Sequence, residues 1–165
     1  MTPEIVSKDE FIVVGVRAVL DLAGQDIGLL WKDKFLARQT ELAAVDHRFH
    51  CVFNLFSDAG GKPGRVEYVA GMVTNSLEDI PVGMVGWVVL HGVYVGLDAI
   101  GQIGISEAYQ KIVSDWLPGS GYMLGHGPVF AFTDSLHPGS PETVWRMNVS
   151  IETIENMERL KKFLG

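Results

Sequence analysis

The sequence lacks several features that would each indicate a particular class of protein. Its one cysteine among 165 residues, Cys51, cannot form a disulfide within the chain, as is usual in a reducing compartment. No apolar run approaches the ~20 residues that cross a bilayer. The N-terminal stretch has neither the basic nor the apolar region of a signal peptide. These absences predict a cytoplasmic protein that does not enter a membrane.

Clusters of basic residues are missing as well. The chain carries 13 Lys and Arg against 20 Asp and Glu, a formal net charge of −7. Proteins that bind nucleic acid bring Lys and Arg together against the phosphates. We therefore expect no direct nucleic-acid binding by this chain and no DNA-binding module within it.

The composition that is present is that of a globular domain, with 47% hydrophobic and 20% charged residues. The length is typical of one domain, which we assign to residues 1–151. Residues 152–165 are predicted to form a charged amphipathic helix. That helix either packs on the edge of the domain or meets a protein partner or a second copy of the chain. Packing on the edge of its own domain is favoured, because a short isolated helix is only marginally stable. Its apolar side consists of Ile154, Met157, Leu160 and Leu164.

Hydrophobic periodicity predicts a strand–helix–strand–strand unit that is used twice. The first helix should run from Asp26 to about Val45, and the second from Ile105 to Leu117. The predicted fold class is α+β, with two long helices against a mostly antiparallel sheet in a pseudo-twofold arrangement. The predicted strands are Phe11–Leu20, Phe49–Phe56, Arg65–Val73, Met84–Leu90, Val93–Leu97, Val129–Thr133 and Val144–Ile151.

Residue types that commonly perform chemistry form no recognisable motif. His47 and His50 are three apart, but they straddle a predicted helix end and strand start, where the two rings need not converge on a metal. Cys51 lies in an apolar strand without a neighbouring base, which predicts a buried and inert thiol. The chain also lacks a Gly-x-Ser-x-Gly elbow and a phosphate-binding glycine motif with its lysine. We predict no metal, no cofactor and no catalytic residue.

Aromatic residues on strands are the main functional signal. Strand alternation places large apolar groups on both faces of several strands, so the second face must be covered or must form a pocket. Each ring alone is well explained as ordinary core, but as a group they favour a cavity. Glu67 lies in the same strands and either points to solvent or faces the rings, where it would suit a cationic amine. The candidate rings are Tyr68, Trp87, Tyr94 and Trp145.

An ordered series of segments resembles the GyrI-like, AraC-type effector-binding domains. The similarity covers nearly the whole chain to about Ile151, and the segments come in family order. The resemblance implies two strand–helix–strand–strand units with a ligand groove where they meet. The matching segments are Leu30–Phe35 (LWKDKF), Val66–Gly71 (VEYVAG), Ile80–Trp87 (IPVGMVGW), His91–Tyr94 (HGVY), Ala108–Pro118 (AYQKIVSDWLP), Gly127–Phe130 (GPVF) and His137–Pro141 (HPGSP).

The resemblance further implies a small-molecule-binding protein, either a sensor or a sequestering one, with a possible place in transcription regulation. Because the chain starts at its first strand, we expect a stand-alone member without a helix-turn-helix. Two alternatives stay open: a hydrolase of the clade that acts on cyclopropane-bearing toxins, with Glu67 as base, and a gyrase-interacting inhibitor. The residues expected to line the groove are Trp31, Phe53, Glu67, Tyr68, Trp87, Tyr94, Phe132, Trp145 and Asn148.

The sequence departs from the family pattern where charge matters most. Family members commonly carry a glutamate in the strand read here as Phe130–Phe132, and it faces cationic effectors. This chain has Ala131 at that position. A tyrosine and a glutamate of the last strand are likewise replaced, near Asn148 and Arg146. The departures put selectivity for cations in doubt and weaken the hydrolase alternative, unless Glu67 takes the place of the missing carboxylate.

Overall fold

The fold is built on a single antiparallel sheet of eight strands. The computed structural model describes residues 2–21, 24, 26–54, 65–155 and 161–163. The strands are rich in β-branched and aromatic residues, which suit the pleated backbone. In chain order they are β1 (Glu4–Lys8), β2 (Phe11–Asp21), β3 (Phe49–Asn54), β4 (Arg65–Thr74), β5 (Val85–Val89), β6 (Gly92–Ile100), β7 (Tyr122–Thr133) and β8 (Val144–Thr153).

The strand order shows the predicted pseudo-twofold arrangement. Across the sheet the strands run β1-β6-β8-β7-β3-β4-β2-β5. One half contains β1, β6, β8 and β7, the other contains β3, β4, β2 and β5, and the halves join where β3 pairs with β7. Exchanging the halves matches β2 with β6, β3 with β7 and β4 with β8. The predicted α+β class and the repeated unit are therefore confirmed.

Both long helices change their winding along their length. The first, α1, is α-helical over Asp26–Leu29, π-helical over Leu30–Phe35 and 3₁₀-helical over Leu36–Glu41. The wide turn is visible in the Leu36 amide, which donates to the carbonyl of Trp31 five residues earlier. The second helix, α2, follows the same sequence of windings, which strengthens the internal symmetry. Its three parts are Gly101–Lys111, Ile112–Trp116 and Leu117–Gly119.

The two helices lie on the same face of the sheet and bury most of the core there. The apolar residues that recur every three or four positions at the start of α1, Ile27, Leu30, Trp31 and Phe35, are all buried as this spacing predicts. Leu42, which the spacing places on the same stripe, lies beyond the end of the helix and is partly buried. The four buried residues pack with inward residues of α2 and of the central strands in one continuous apolar cluster. The helix-free face carries a second, smaller apolar cluster, formed by Val13, Val52, Val69, Val89, Tyr94 and Phe130.

The sheet is curled around this second cluster. Strands β1 and β2 stand six places apart in the sheet, about 29 Å if the sheet were flat. Only Asp9 and Glu10 connect them, and such a link reaches about 11 Å. Strands β5 and β6 also stand six places apart and are connected only by Leu90 and His91, so they too must lie within about 11 Å of each other at this link. Phe130 of β7 accordingly touches Tyr94 of β6, with ring centroids 5.1 Å apart.

Several predicted boundaries differ from the structure. The first helix ends at Glu41 rather than near Val45, because Leu42 is already extended, with ψ of 137°. The second helix starts at Gly101, four residues earlier than predicted. Strands β6 and β7 are longer than predicted. Strand β8 continues to Thr153, so the C-terminal helix begins at residue 154, two residues later than predicted.

Strand β1 was not predicted, because it is an edge strand without clear alternation, and Ile5 stays 46% exposed. At the other end of the chain, residues 154–155 and 161–163 are helical. Met157, Leu160 and Leu164 of the predicted apolar stripe lie outside the described residues. None of the helices within the described ranges has the length and apolar character that spanning a bilayer requires.

Candidate functional site

An aromatic group fills the seam between α1 and α2. Trp31 of α1 is fully buried and lies 5.7 Å, centroid to centroid, from Trp145 of β8. Its indole Nε1 donates to the hydroxyl of Tyr68 on β4, at 2.9 Å. Phe53 of β3 stacks on the Tyr68 ring at 6.1 Å. Four of the predicted site residues therefore meet, but they pack against one another, and the open space lies beside them.

The base of this aromatic group carries no ionised side chain at neutral pH. Burial raises the pKa of the Cys51 thiol to about 12. Burial likewise raises the pKa of the Tyr68 hydroxyl well above its ordinary value, although the hydrogen bond from Trp31 opposes this. Cys51 pairs across the ladder with Ala131, which is fully buried on the same face. The predicted burial of Cys51 is confirmed, and the position of Ala131 supplies no carboxylate.

Two polar side chains are buried beside these rings. Gln102, in the first turn of α2, is 8% exposed, and its amide lies beside the Tyr68 hydroxyl, where it lowers the pKa of that group. Nε1 of Trp145 makes no hydrogen bond within the described part of the chain. A buried polar group left unpaired costs about 1–3 kcal/mol. Such groups are therefore commonly found where a ligand or an ordered water completes the hydrogen bonding.

Two adjoining cavities open at this end of the seam, and together we call them the helix cleft. The outer cavity, of about 510 Å³, lies between α1 and the loop that connects β7 to β8. The terminal cavity, of about 340 Å³, lies between the first turns of α1 and α2 and the same loop. Gly28, Gly139 and Ser140 line both cavities. The combined size is within the usual range for drug-sized ligands.

The loop approaches α1 most tightly at Gly139. A Cβ on Gly139 would stand 3.2 Å from the Gly28 carbonyl oxygen and 3.3 Å from Cβ of Trp31. The start of α2 is fixed to the same loop, since the Gly101 amide donates to the carbonyl of Thr143 at 2.7 Å. This loop therefore forms a wall of the helix cleft that is held at both helices.

The mouth of the cleft has an apolar rim. Leu29 lines the outer cavity and is 55% exposed, while Ile100 and Ile103 line the terminal cavity and are 63% and 57% exposed. Leu136, next to the lining residue His137, is also exposed. Exposed aliphatic side chains gathered around a cavity are typical of a site that accepts apolar molecules.

The other five predicted site residues lie on the helix-free face. Glu67 accepts a hydrogen bond from Arg17 at 2.7 Å and is partly exposed, so it does not face the rings of the seam. The Tyr94 hydroxyl donates to the carbonyl of Leu90 at 3.0 Å. Trp87 packs against the second apolar cluster.

Phe132 and Asn148 complete this second set. The guanidinium carbon of Arg48 stands 4.7 Å from the centre of the Phe132 ring, and the ammonium of Lys8 stands 5.4 Å from it. Asn148 is buried and donates to the backbone carbonyl of Arg146 at 3.3 Å. The nine predicted residues thus belong to two faces of one sheet, and none of them lines the helix cleft.

Sequence reasoning missed the residues that line the cleft. One usable signal was Gln102, which stands three residues before Ile105 on the buried stripe of α2. A glutamine at a core position of a helix is unusual, because its amide must find a partner. Gly28 and Gly139 gave no such signal, since their role depends on a contact between distant parts of the chain. In the described residues no cluster of metal ligands occurs.

An α+β domain with a cleft of this kind between paired helices is typical of small-molecule-binding proteins. The family of GyrI-like small molecule binding domains matches residues 1–153, and this chain belongs to that family. The resemblance seen in the sequence is therefore confirmed. No curated protein matches the chain.

Solved structures show the same fold at low sequence identity. SAV2435 bound to tetraphenylphosphonium gives a TM-score of 0.63 at 13% identity, covering 94% of this chain and 97% of that chain. The integron cassette protein VCH_CASS2 of Vibrio cholerae gives 0.61 at 16% identity, covering 91% and 95%. EcmrR in its complex with DNA gives 0.67 at 13% identity, and the match covers 93% of this chain but 58% of that one.

Proposed function

We propose that this domain binds an apolar or aromatic small molecule in the helix cleft. The observation that carries the proposal is the pair of adjoining cavities with an apolar rim. The similar structure that holds tetraphenylphosphonium supports an aromatic ligand. Trp31 and Trp145, two of the predicted site residues, are buried beside the cleft and pack against each other there.

The expected strength of binding follows from the apolar area that a ligand buries. A bicyclic aromatic molecule buries on the order of 200 Å², which is worth about 5 kcal/mol before the cost of association. Association itself costs several kcal/mol. Apolar burial alone therefore gives weak binding.

Filling the cleft should abolish binding without unfolding the protein. Gly28 lines both cavities, and a Cβ there would meet the Gly139 carbonyl oxygen at 3.6 Å, an ordinary contact. We expect Gly28→Leu to weaken binding of aromatic ligands at least about tenfold, since the larger side chain occupies their volume. Isothermal titration calorimetry and the fluorescence of the tryptophans beside the cleft measure the affinity.

Gly119→Leu is the matched control, because a Cβ at Gly119 meets nothing within 4 Å and the residue lies at the far end of α2. This control should bind as the wild type does. Equal affinity in the wild type and in a folded Gly28→Leu protein would reject the helix cleft as the site. Thermal melts of both variants report whether they are folded.

We further propose that the domain acts in the cytoplasm as a sensor or sequestering protein, in transcription regulation, without binding nucleic acid itself. The acidic net charge of −7 supports the absence of a phosphate-binding surface. A protein partner or a second copy of the chain would then receive the signal. Ile154 and Phe163, exposed by 48% and 87%, support the C-terminal segment as the contact.

A further inference from the structure

The outer strands of one half of the sheet are covered by the segment that connects β4 to β5, residues 75–84. This segment passes over the helix-bearing face of β2. It packs on β5, where a Cβ on Gly86 would overlap the Leu77 side chain and stand 3.2 Å from that of Ile80. The segment is also tied to the end of α1, since Arg38 donates to one of its carbonyls at 2.7 Å. This half therefore has a cover beside its helix.

The corresponding strands of the other half are left uncovered by the residues that the structure describes. The pseudo-twofold relates β5 to β1, β2 to β6 and α1 to α2. Ile5 of β1 pairs with Val95, whose side chain belongs to the core beneath the helices, so Ile5 lies on the helix-bearing face, as does Val93 of β6. Both remain exposed, by 46% and 38%. A cavity of about 340 Å³ adjoins them beside α2, and we call the whole surface the α2 groove. The cavity is lined by Pro3, Leu97, Lys111, Ile112, Asp115 and Trp116.

The internal symmetry indicates which part of the chain fits the α2 groove. The cover of the first half follows β4, and the part of the chain that follows β8 in the same way is the C-terminal segment, residues 154–165. This segment begins at the end of α2, because the Ile154 amide donates to the carbonyl of Gly121 at 3.5 Å. Its amphipathic pattern offers an apolar side to such a groove. In the structure Ile154 and Phe163 are nevertheless exposed, so these side chains do not pack on their own domain.

The C-terminal segment also lacks the turn residues that bring the first cover back over its own half. Residues 75–84 turn through Asp79 and Gly83, whose φ angles of 58° and 84° are left-handed. The C-terminal segment contains neither glycine nor proline before Gly165, and residue 154 is helical directly after β8. A segment that leaves its domain without a turn is suited to the groove of a second copy, as in domain swapping.

We propose that two copies of the chain exchange their C-terminal segments, each laying its apolar side into the α2 groove of the other. This inference rests on the proposed contact through the C-terminal segment and adds the surface that receives it. The exchange is symmetric, so each copy gives one segment and receives one. Two such contacts double the buried area, which brings it toward the about 1,600 Å² that stable interfaces bury.

The first test weakens the α2 groove without changing the segment. Ile5→Lys places a charge among the apolar side chains of the groove, on an edge strand where lysine is well tolerated. We expect the dissociation constant of the dimer to rise at least about tenfold, because both contacts are weakened together. Light scattering across a dilution series measures it. Val82→Lys is the matched control and should dimerise as the wild type does, since Val82 is 91% exposed and lies in the cover of the other half.

The second test links the two surfaces covalently. Lys111→Cys places a thiol in the α2 groove and Phe163→Cys places one in the segment, both at exposed positions, while Cys51 is buried. We expect a short bismaleimide to join two copies of the doubly substituted chain, which then run as a dimer on a denaturing gel. Two controls should stay unlinked: Phe163→Cys alone, and Phe163→Cys combined with Val82→Cys.

The outcomes separate this inference from the proposed function. A link between copies only in the chain with both Lys111→Cys and Phe163→Cys, together with a weaker dimer in Ile5→Lys, supports the exchange. A link within one chain would show that the segment covers its own groove, and an equal link in Phe163→Cys alone would show that two segments meet each other. Either result overturns the exchange, as does an Ile5→Lys dimer as stable as that of the wild type.

A wild type that is monomeric throughout the dilution series would reject both the exchange and the proposed contact through the segment. Ligand binding in the helix cleft would stand in every one of these cases, because the helix cleft and the α2 groove share no lining residue within the described chain.

Discussion

His50 is a histidine held neutral inside the curled sheet. Its ring lies among those of Phe11 and Phe132, with centroids 5.8 and 5.6 Å away, and its Nδ1 has no partner in the described chain. Burial lowers its pKa to about 4, and the positive charge of Arg48 and, more weakly, of Lys8 acts in the same direction, while Asp46 opposes it. The native state therefore excludes a proton that the unfolded chain accepts.

This difference predicts a loss of stability in acid that belongs to one residue. As the pH falls from 6.5 to about 4, the unfolded chain is protonated at His50 and the native chain is not, so the free energy of unfolding decreases. The contribution reaches about 3 kcal/mol and is absent above pH 6.5. Chemical denaturation of His50→Leu across this range should show a smaller loss by that amount.

The exposed histidine His126 provides the comparison, because His126→Leu removes the same titratable group from the surface. Its unfolding curves should follow those of the wild type at each pH. A His50→Leu protein that loses as much stability in acid as the wild type does would show that His50 is not the group responsible.

For single residues, the sequence predicts well which side chains are buried, but predicts poorly which hydrogen-bond partners they have. An apolar strand pattern was enough to place Cys51 in the core, and a helical stripe was enough for Trp31 and Phe35. It was not enough for Glu67, whose partner Arg17 is 50 residues away in the chain. A hydrogen-bond partner depends on strand register, which one sequence does not specify.

Strands β2 and β4 approach each other most closely at a pair of glycines. Gly15 and Gly71 are direct partners in the ladder. A Cβ on Gly15 would lie 1.9 Å from the Ala70 carbonyl oxygen, and one on Gly71 would lie 2.3 Å from that of Val14. Glycine in a strand commonly marks such a close backbone approach. The pair therefore allows the close approach of β2 and β4 within the curled sheet.

Adding one methyl group at this crossing should be costly. We expect Gly71→Ala to lower the free energy of unfolding by more than about 2 kcal/mol, because backbone must move to remove the overlap. Gly119→Ala, with open space around its Cβ, should stay within a few tenths of the wild type. Urea titrations of the two variants make the comparison, and equal stability would contradict the close approach.

The elements themselves were predictable in kind but not in length. Alternation marks the second half of β7, which was predicted as Val129–Thr133, but the first half, from Tyr122, contains a register shift between Leu124 and Val129 that breaks the pattern. The π-helical turns are invisible to a period of 3.6 residues. They also account for Arg38, which a regular helix would place between Phe35 and Leu42 on the apolar side, whereas its side chain pairs with Glu41 and the Val82 carbonyl.

For the whole molecule, the family and the repeated unit were evident from sequence, and the site was not. The expected groove between rings required the two faces of the sheet to contribute together, but the sheet curls and encloses one face. The cleft arises instead where a loop and two helix ends meet. Such a meeting of distant segments has no local pattern in a single sequence.

The C-terminal segment allows a prediction about assembly. Removing residues 154–165 leaves β8 intact, since that strand ends at Thr153. We expect the full chain to have the molar mass of a dimer in light scattering and the shortened chain that of a monomer, because the exposed side chains of Phe163 and Ile154 would form the contact. Its affinity for an aromatic ligand of the cleft should not change, since none of the residues described beyond Thr153 lines the cleft. An unchanged molar mass would argue against a homodimer through this segment.

The short links between opposite sides of the sheet also decide how the domain can open. Asp9–Glu10 and Leu90–His91 each connect strands from different halves, and β3 with β7 joins those halves again in the middle. The two halves of the sheet therefore cannot separate without breaking the hydrogen bonds between β3 and β7. A ligand therefore enters through the open mouth of the helix cleft, and the loop of Gly139, which is held at both helices, is the segment that it meets there.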